Sequence, residues 1–350
     1  MTLKISIVTV CLNGADVIER CLSSVARQTY PDIEYLFIDG GSTDGTLDII
    51  KKYEKTISYF ISEQDGGIYP AMNKGIAKAT GDFVLVLGAD DYLVDDKVIE
   101  DVVAGMPNET ADFYYGLLEV RYPDGVVSVY DAGKPEDIGQ MMILGSLPSQ
   151  ASFIRRTAFE SIGAFDVQYR LAADYDWYLR ALSTPEFKFA KINRLCSSYF
   201  MGGASSNLEK CRPETDLIQN RSAFYQTPQW QRRLIETWQQ DSLSWRLECN
   251  ELEGLLADKR KDADNILRDK KGMLKEREHL LQEVDKLRQG LDALDVERNK
   301  LQYYLDNANA EMQRLIEDLE QRPETSGRSP LGLKRALQSG FSVLRKRFVE

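Results

Sequence analysis

At 350 residues with 43% hydrophobic side chains, the chain exceeds one average domain and can bury a sizeable core. A formal net charge of -11 speaks against nucleic-acid binding, and the single histidine, His279, removes histidine catalysis and His-rich metal sites. Cys11, Cys21, Cys196, Cys211 and Cys249 form no CxxC pair, and their odd count points to reduced thiols in a cytosolic setting. No signal peptide opens the chain and no run approaches the ~18 apolar residues of a membrane span, so the active face is expected in the cytoplasm.

Ile5-Ser6-Ile7-Val8-Thr9-Val10 reads as a first strand that ends in the turn Cys11-Leu12-Asn13-Gly14. Over 15–28, Val17, Ile18, Leu22 and Val25 recur at helical spacing. A second strand, 33–38, stops at Asp39-Gly40-Gly41-Ser42-Thr43-Asp44-Gly45-Thr46, and a helical stretch and a short strand near 58–61 follow. The nearly continuous apolar run 82–89 then ends on Asp90 and Asp91. Such alternation predicts an α/β fold with a mostly parallel central sheet and helices on both faces.

A buried strand cannot hide two adjacent charges, so Asp90 and Asp91 must surface at its C-terminal end, where open α/β sheets bind ligands. Their mutual repulsion would be relieved by a hard divalent cation carrying phosphate oxygens. The bland alternative makes Asp91 the cap of a helix beginning near Val94, with Asp90 a solvated turn residue. Acid-bearing turns at Asn13, Asp39 and Asp90 would converge on one sheet edge, an arrangement that costs stability unless a ligand offsets it.

Four segments carry a resemblance: Thr9-Val10-Cys11-Leu12-Asn13, the turn 39–46, the segment from Ser62 through Asp65-Gly66-Gly67-Ile68-Tyr69-Pro70-Ala71-Met72-Asn73-Lys74-Gly75, and Gly88-Ala89-Asp90-Asp91. In order and spacing they resemble the family 2 glycosyltransferases, over roughly the first two hundred residues. The resemblance implies a GT-A fold, a nucleotide-binding α/β domain joined to an acceptor-binding half. It also implies sugar transfer from a nucleotide diphosphate donor, usually with inversion and with a divalent cation, Mn2+ or Mg2+.

Position by position, the resemblance puts Thr9 and Asn13 in the base and ribose pocket and makes Asp39 the acid that bonds base or ribose, with Gly40 and Gly41 admitting the backbone. Asp65 and Gly67 become donor contacts, Asn73 and Lys74 sit beside the diphosphate, Ala89 and Asp90 meet the donor, and Asp90 ligates the metal with Asp91 as its helper. Gly88 departs from the pattern where many relatives carry the first aspartate of the motif, which leaves water and phosphate to complete the metal shell. Downstream, Leu171-Ala172-Ala173-Asp174-Tyr175-Asp176-Trp177-Tyr178-Leu179-Arg180 resembles the family's acid-containing segment, with Ala173 where relatives often carry glutamate. Asp174 is then the general base by position, and Asp176 pairs with Arg180 four residues on. The alternative is that Asp174 caps the helix, which would lower its pKa and weaken it as a base. The segment 149–166 looks like an acceptor-side linker, and the Gly-rich stretch 202–206 is expected to close over the donor.

From 241 to 322 the composition turns to Glu, Asp, Lys, Arg, Gln and Leu. Steps of alternately four and three residues from Leu252 through Leu256, Val284, Leu287, Leu291, Leu294, Leu301, Leu305, Ala308 and on to Leu319 give a heptad seam. As one helix it would reach roughly 120 Å and join the chain to a second copy or to a partner helix. A solitary amphipathic helix lying on the catalytic domain is the alternative. In the tail, Leu333, Leu337, Phe341, Leu344 and Phe348 share one helical face amid Lys334, Arg335, Arg345, Lys346 and Arg347. It would lie on an anionic membrane, or else bind a partner or be a merely solvated tail. The expected organisation is a glycosyltransferase domain at 1–225, a helical connector at 226–240, a coiled coil at 241–322, a linker at 323–330 and a basic tail helix at 331–350.

The expected activity is transfer of a sugar, UDP-linked by default, to a hydroxyl of a glycan or lipid-linked acceptor in cell-surface polysaccharide or glycoconjugate synthesis. The enzyme would be cytoplasmic, or peripheral on the inner face of the membrane. A catalytically weak scaffold that binds nucleotide-sugar and assembles through the coiled coil is the alternative. A nucleotidyltransferase ranks third, because Cys11-Leu12-Asn13-Gly14-Ala15-Asp16 lacks the Gly-rich phosphate loop after the first strand.

Overall fold

The computed structural model describes residues 2–106, 110–202, 208–268 and 277–320. The chain divides into two compact units, Met1–Trp230 and Gln231–Glu350. Unit one opens with β1 (Ile5–Cys11), α1 (Ile18–Ala26), β2 (Ile33–Asp39), α2 (Thr46–Lys51), β3 (Tyr59–Ser62), α3 (Ile68–Lys78) and β4 (Phe83–Gly88). β1 pairs in parallel with β2 and with β4, and β2 in parallel with β3. The resulting order β3-β2-β1-β4 places every strand-to-helix turn on one edge, since each helix must carry the chain back before the next parallel strand. Gly75 lets α3 lie close on β1, where a Cβ would stand 2.3 Å from Val8 Cγ1.

The rest of unit one comprises β5 (Tyr92–Leu93), α4 (Val98–Ala104), β6 (Phe113–Arg121), β7 (Val127–Tyr130), α5 (Ile138–Met141), β8 (Ser152–Arg155), α6 (Ala158–Ser161), α7 (Ala173–Leu182), β9 (Phe189–Phe200) and α8 (Leu208–Arg221). Among the described residues the strands form one sheet in the order β3-β2-β1-β4-β8-β6-β9-β5, with β7 on β6. The parallel character holds as far as β4. Beyond it, β8 runs antiparallel to both β4 and β6, and β9 runs parallel to β6, so the sheet as a whole is mixed. The supposed acceptor-side linker therefore contributes a strand to the sheet's middle. Phe113, Phe159, Phe165, Trp177, Tyr178 and Phe189 interlock beneath it with ring centroids 5.1–6.5 Å apart.

The helix expected near Val94 begins at Val98, because Tyr92 and Leu93 pair with Ser198 and Ser197 of β9 as a short strand. Asp91 therefore caps no helix. That removes the capping role from the alternative reading of the pair, while Asp90 does lie in a turn.

In unit two, α9 (Pro228–Arg268) runs through the expected connector, with proline at its tolerated first position, and α10 (Arg277–Glu320) follows. Of the expected seam positions, Leu256 on α9 and Val284, Leu301, Leu305 and Ala308 on α10 are buried, while Leu252, Leu287, Leu291 and Leu294 are half-buried. The single rod is corrected, because the two helices run antiparallel against each other. Trp245 stacks on Tyr304 at 5.4 Å between ring centroids, and Arg260 reaches Asp295 at 3.5 Å. Each helix is about 60 Å long at 1.5 Å per residue, and the buried part of the stripe is covered by the neighbouring helix of the same chain. The expected donor-closing stretch 203–206, the linker and the basic tail lie outside the described residues. No described helix is long and apolar enough to cross a membrane.

Candidate active site

The turns after β1 and β2 are stapled together. Asn13, the one non-glycine residue at positive φ (52°) among the described residues, donates its N–H to Ser42 Oγ at 2.7 Å, and its Oδ1 accepts the Thr43 N–H at 2.9 Å. Gly14 N–H bonds Thr46 Oγ1 at 2.9 Å and Ala15 N–H bonds Asp44 Oδ2 at 3.0 Å. Asp39, at the end of β2, is fully buried. Its carboxylate accepts the N–H groups of Gly41 and Ser42 at 3.1 and 2.9 Å and the hydroxyls of Ser42 and Ser62 at 2.5 and 2.6 Å. Four donors thus satisfy a side chain that would be costly to bury unpartnered. Asp65 lies against the same turn, since a Cβ on Gly40 would stand 2.8 Å from its Oδ2, and its Oδ1 accepts the Gly67 N–H at 2.9 Å.

Asp90 is half-buried at the end of β4, while Asp91 is 2% exposed. Burial first, and the neighbouring Asp90 charge second, push the Asp91 carboxyl up to about 7. Its Oδ1 accepts the Phe200 N–H at 3.4 Å. Arg121 from β6 braces the pair from behind: its guanidinium donates to the Asp90 carbonyl at 3.0 Å and to Ser198 Oγ at 2.7 Å, and it stacks on Tyr92 and Phe200.

Gly88 explains its own departure from the family pattern. A Cβ there would lie 2.6 Å from Asp91 Oδ2 and 3.1 Å from Asp90 Oδ1, so a carboxylate oxygen already fills the place a side chain would take. Two repelling carboxylates, one of them desolvated, are a donor set of the kind a hard divalent cation satisfies. Among the described residues no cluster of three or more His, Cys, Asp or Glu side chains could hold a metal ion, so Asp90 and Asp91 fit such an ion only when other oxygens share it. Cys11, at the end of β1, lies near the acids of these turns. Its thiol is pushed up to about 12 by burial and then by the charges of Asp39, Asp44 and Asp90.

Asp174 is tied to α3 through Tyr69. Tyr69 stands in the first turn of α3, which starts at the shared edge directly after Asp65 and Gly67. Its hydroxyl bonds Asp174 Oδ1 at 2.7 Å and lies 3.1 Å from the Leu171 carbonyl, and its ring meets Phe165 edge-on at 5.6 Å. Asp174 Oδ1 also accepts the Tyr175 N–H at 2.9 Å. Burial raises the Asp174 pKa, while the Tyr69 hydroxyl and the Tyr175 N–H pull it down. Ala172 occupies the N-cap of α7 without a side-chain bond, so Asp174 is inside the helix and does not cap it. Ala173 is fully buried, where a glutamate would be desolvated. Asp176 pairs with Arg180 at 2.8 Å as its spacing predicts.

Three expected donor contacts are used otherwise. The Thr9 hydroxyl is fully buried and accepts a bond from Tyr35 Oη at 3.2 Å, so only its backbone remains for a base pocket. The Asn73 amide clamps Phe165, donating to its carbonyl at 2.8 Å and accepting its N–H at 3.0 Å. Lys74 pairs with Glu63 at 2.8 Å on the surface. Both helix residues are engaged within the protein because α3 bridges the two halves of the domain. Sequence reasoning missed Ser42, Ser62, Tyr69 and Arg121. Tyr69 alone carried a signal, its i,i+4 spacing to Asn73 on one helical face.

The model of glycosyl transferase family 2 matches residues 6–161. A PGL/p-HBAD biosynthesis glycosyltransferase of Mycobacterium bovis (strain BCG / Pasteur 1173P2) is 35% identical over 206 residues, covering 58% of this chain and 78% of that protein. The chain belongs to glycosyl transferase family 2. An uncharacterized glycosyltransferase of Mycobacterium tuberculosis (strain ATCC 25618 / H37Rv) is 32% identical over 188 residues, covering 51% of this chain and 68% of that one. Among solved structures, S. aureus TarS superposes with a TM-score of 0.49 at 17% identity, over 63% of this chain and 40% of that one.

Proposed function

We propose that this glycosyltransferase moves a sugar from a nucleotide diphosphate donor, UDP-linked by preference, to a hydroxyl of a glycan or lipid-linked acceptor with inversion at the anomeric carbon. The observation that supports the reading is the Tyr69–Asp174 bond, which ties a buried carboxylate with a raised pKa to the first turn of α3, the helix that follows Asp65 and Gly67. The turns at 11–14 and 39–42, with Asp65 and Gly67, form the donor side. A divalent cation held by Asp90 and Asp91 would neutralise charge on the departing diphosphate.

The acceptor hydroxyl attacks the anomeric carbon as its proton passes to Asp174, and the bond from that carbon to the phosphate oxygen breaks, with the electron pair leaving on the nucleoside diphosphate. Tyr69 and the Tyr175 N–H both bond Oδ1, which leaves Oδ2 as the oxygen that takes the proton. Gly88 and Ala173 do not favour the scaffold alternative: one makes room for Asp91 and the other fills the core.

The test is a panel of UDP-, GDP- and dTDP-sugars, with and without Mn2+ or Mg2+, scored by thermal shift and by nucleoside diphosphate release. Cation-dependent release from one donor, lost in Asp90→Ala and Asp174→Asn, supports the reading. Release that both variants retain refutes it. The basic tail, as a membrane anchor, is tested by deleting the residues after Gly327: loss from the membrane fraction supports it, and unchanged fractionation refutes it.

A further inference from the structure

We propose that Glu214 is a positioning residue for the transfer, holding from α8 the backbone that sets Asp174 against Tyr69. The inference rests on the reading of Asp174 as the base. One carboxylate takes three successive backbone donors: Arg170 N–H at 2.9 Å on Oε1, and Leu171 and Ala172 N–H at 2.8 and 3.0 Å on Oε2. These groups precede α7 and have no acceptor within that helix, and Ala172 at the N-cap offers no side-chain oxygen. Glu214 therefore pins, from another helix, the backbone that leads into α7, through charge-assisted bonds to the residues just ahead of it.

Asp174 lies two residues beyond the last of these donors, and the Leu171 carbonyl lies 3.1 Å from the same Tyr69 hydroxyl that bonds Asp174. The loop is thus gripped on one side by Glu214 and on the other by Tyr69, and a shift of its backbone carries the base with it. α8 has a second anchorage, onto α7 itself and the chain after α5. Gln219 donates to the Ile143 carbonyl at 2.9 Å and bonds Tyr175 Oη at 2.6 Å, and Ile218 is 1% exposed. Removing the Glu214 charge leaves α8 seated and loosens the base alone. A catalytic group displaced by about 1 Å loses on the order of 100-fold in rate.

The experiment uses the full chain and the donor the wild type turns over fastest among UDP-glucose, UDP-GlcNAc and GDP-mannose with Mn2+. Nucleoside diphosphate release is measured for Glu214→Gln, Glu214→Asp, Asp174→Asn and the double variant Asp174→Asn/Glu214→Gln. Expected are a kcat fall of roughly 10- to 100-fold in Glu214→Gln with donor KM within about twofold, a smaller fall in Glu214→Asp, and no further loss on the Asp174→Asn background. Wild-type kcat in Glu214→Gln, a KM that rises in proportion, or full multiplication with Asp174→Asn would each overturn the inference. If the glutamine variant does not fold, Glu214→Asp decides by the same split, and wild-type kcat there overturns it. Asp174→Asn at full rate, or a wild type that turns over none of the donors, overturns the underlying reading of the base, a failure distinct from an inert Glu214.

Discussion

Replacing Tyr69 by phenylalanine deletes one oxygen and keeps the ring that packs edge-on against Phe165 at 5.6 Å. The deleted hydroxyl donates to Asp174 Oδ1 at 2.7 Å, and such a bond favours the charged carboxylate. A hydrogen bond to a charged group contributes about 1.5–3 kcal/mol. Its loss raises the Asp174 pKa further, beyond the rise that burial already imposes. Tyr69, Tyr178 and Cys211 feel the Asp174 charge, and all three are pushed up, so they stay neutral through the working range and do not mask the shift. A base whose pKa rises is protonated sooner as pH falls, so the acid limb of the kcat/KM profile moves to higher pH. Above that limb the rate recovers. Donor turnover measured from pH 5 to 9 in wild type and Tyr69→Phe is the assay, and an acid limb that stays in place or moves to lower pH refutes Asp174 as the base poised by this bond.

Gly88→Ala places a methyl carbon 2.6 Å from Asp91 Oδ2, so it should raise the Mn2+ concentration needed for half-maximal turnover by about tenfold; an unchanged titration would separate Asp91 from the metal site. Asp39→Asn turns one of the two oxygens that accept four donors into an NH2 group, and should cost on the order of 3 kcal/mol, seen as a Tm about 10 °C lower. Wild-type Tm would show that the buried carboxylate does not organise the turn. Leu305→Ala, at a seam position 1% exposed, should cost about 2–5 kcal/mol and speed amide exchange in both α9 and α10 while donor turnover is unchanged; faster exchange in α10 alone would contradict the antiparallel pairing.

The parallel half of the fold was legible because its physics is local. β4 is a continuous apolar run and β1 and β2 are largely apolar, each stopped by turn residues, a pattern that suits buried parallel strands. The register of the C-terminal seam was legible for the same reason, but its direction was not. Leu256 and Val284 lie a whole number of heptads apart, so a helix that reverses between them keeps the period of one that continues. At the site, strand ends and acids could be read, whereas the partners of Asn73 and Glu214 are backbone groups of distant segments, which leave no trace in composition or spacing.

The central claim is that acids carried on separate elements act on one bound donor. The direct measurement is single-turnover nucleoside diphosphate release at saturating donor and Mn2+ in wild type, Asp90→Ala and Asp174→Asn, with binding of the free nucleoside diphosphate followed in parallel. The account predicts that both variants lose at least about 100-fold in rate, and that nucleotide binding weakens only in Asp90→Ala. Wild-type turnover in either variant, or equal loss of nucleotide binding in both, would contradict it.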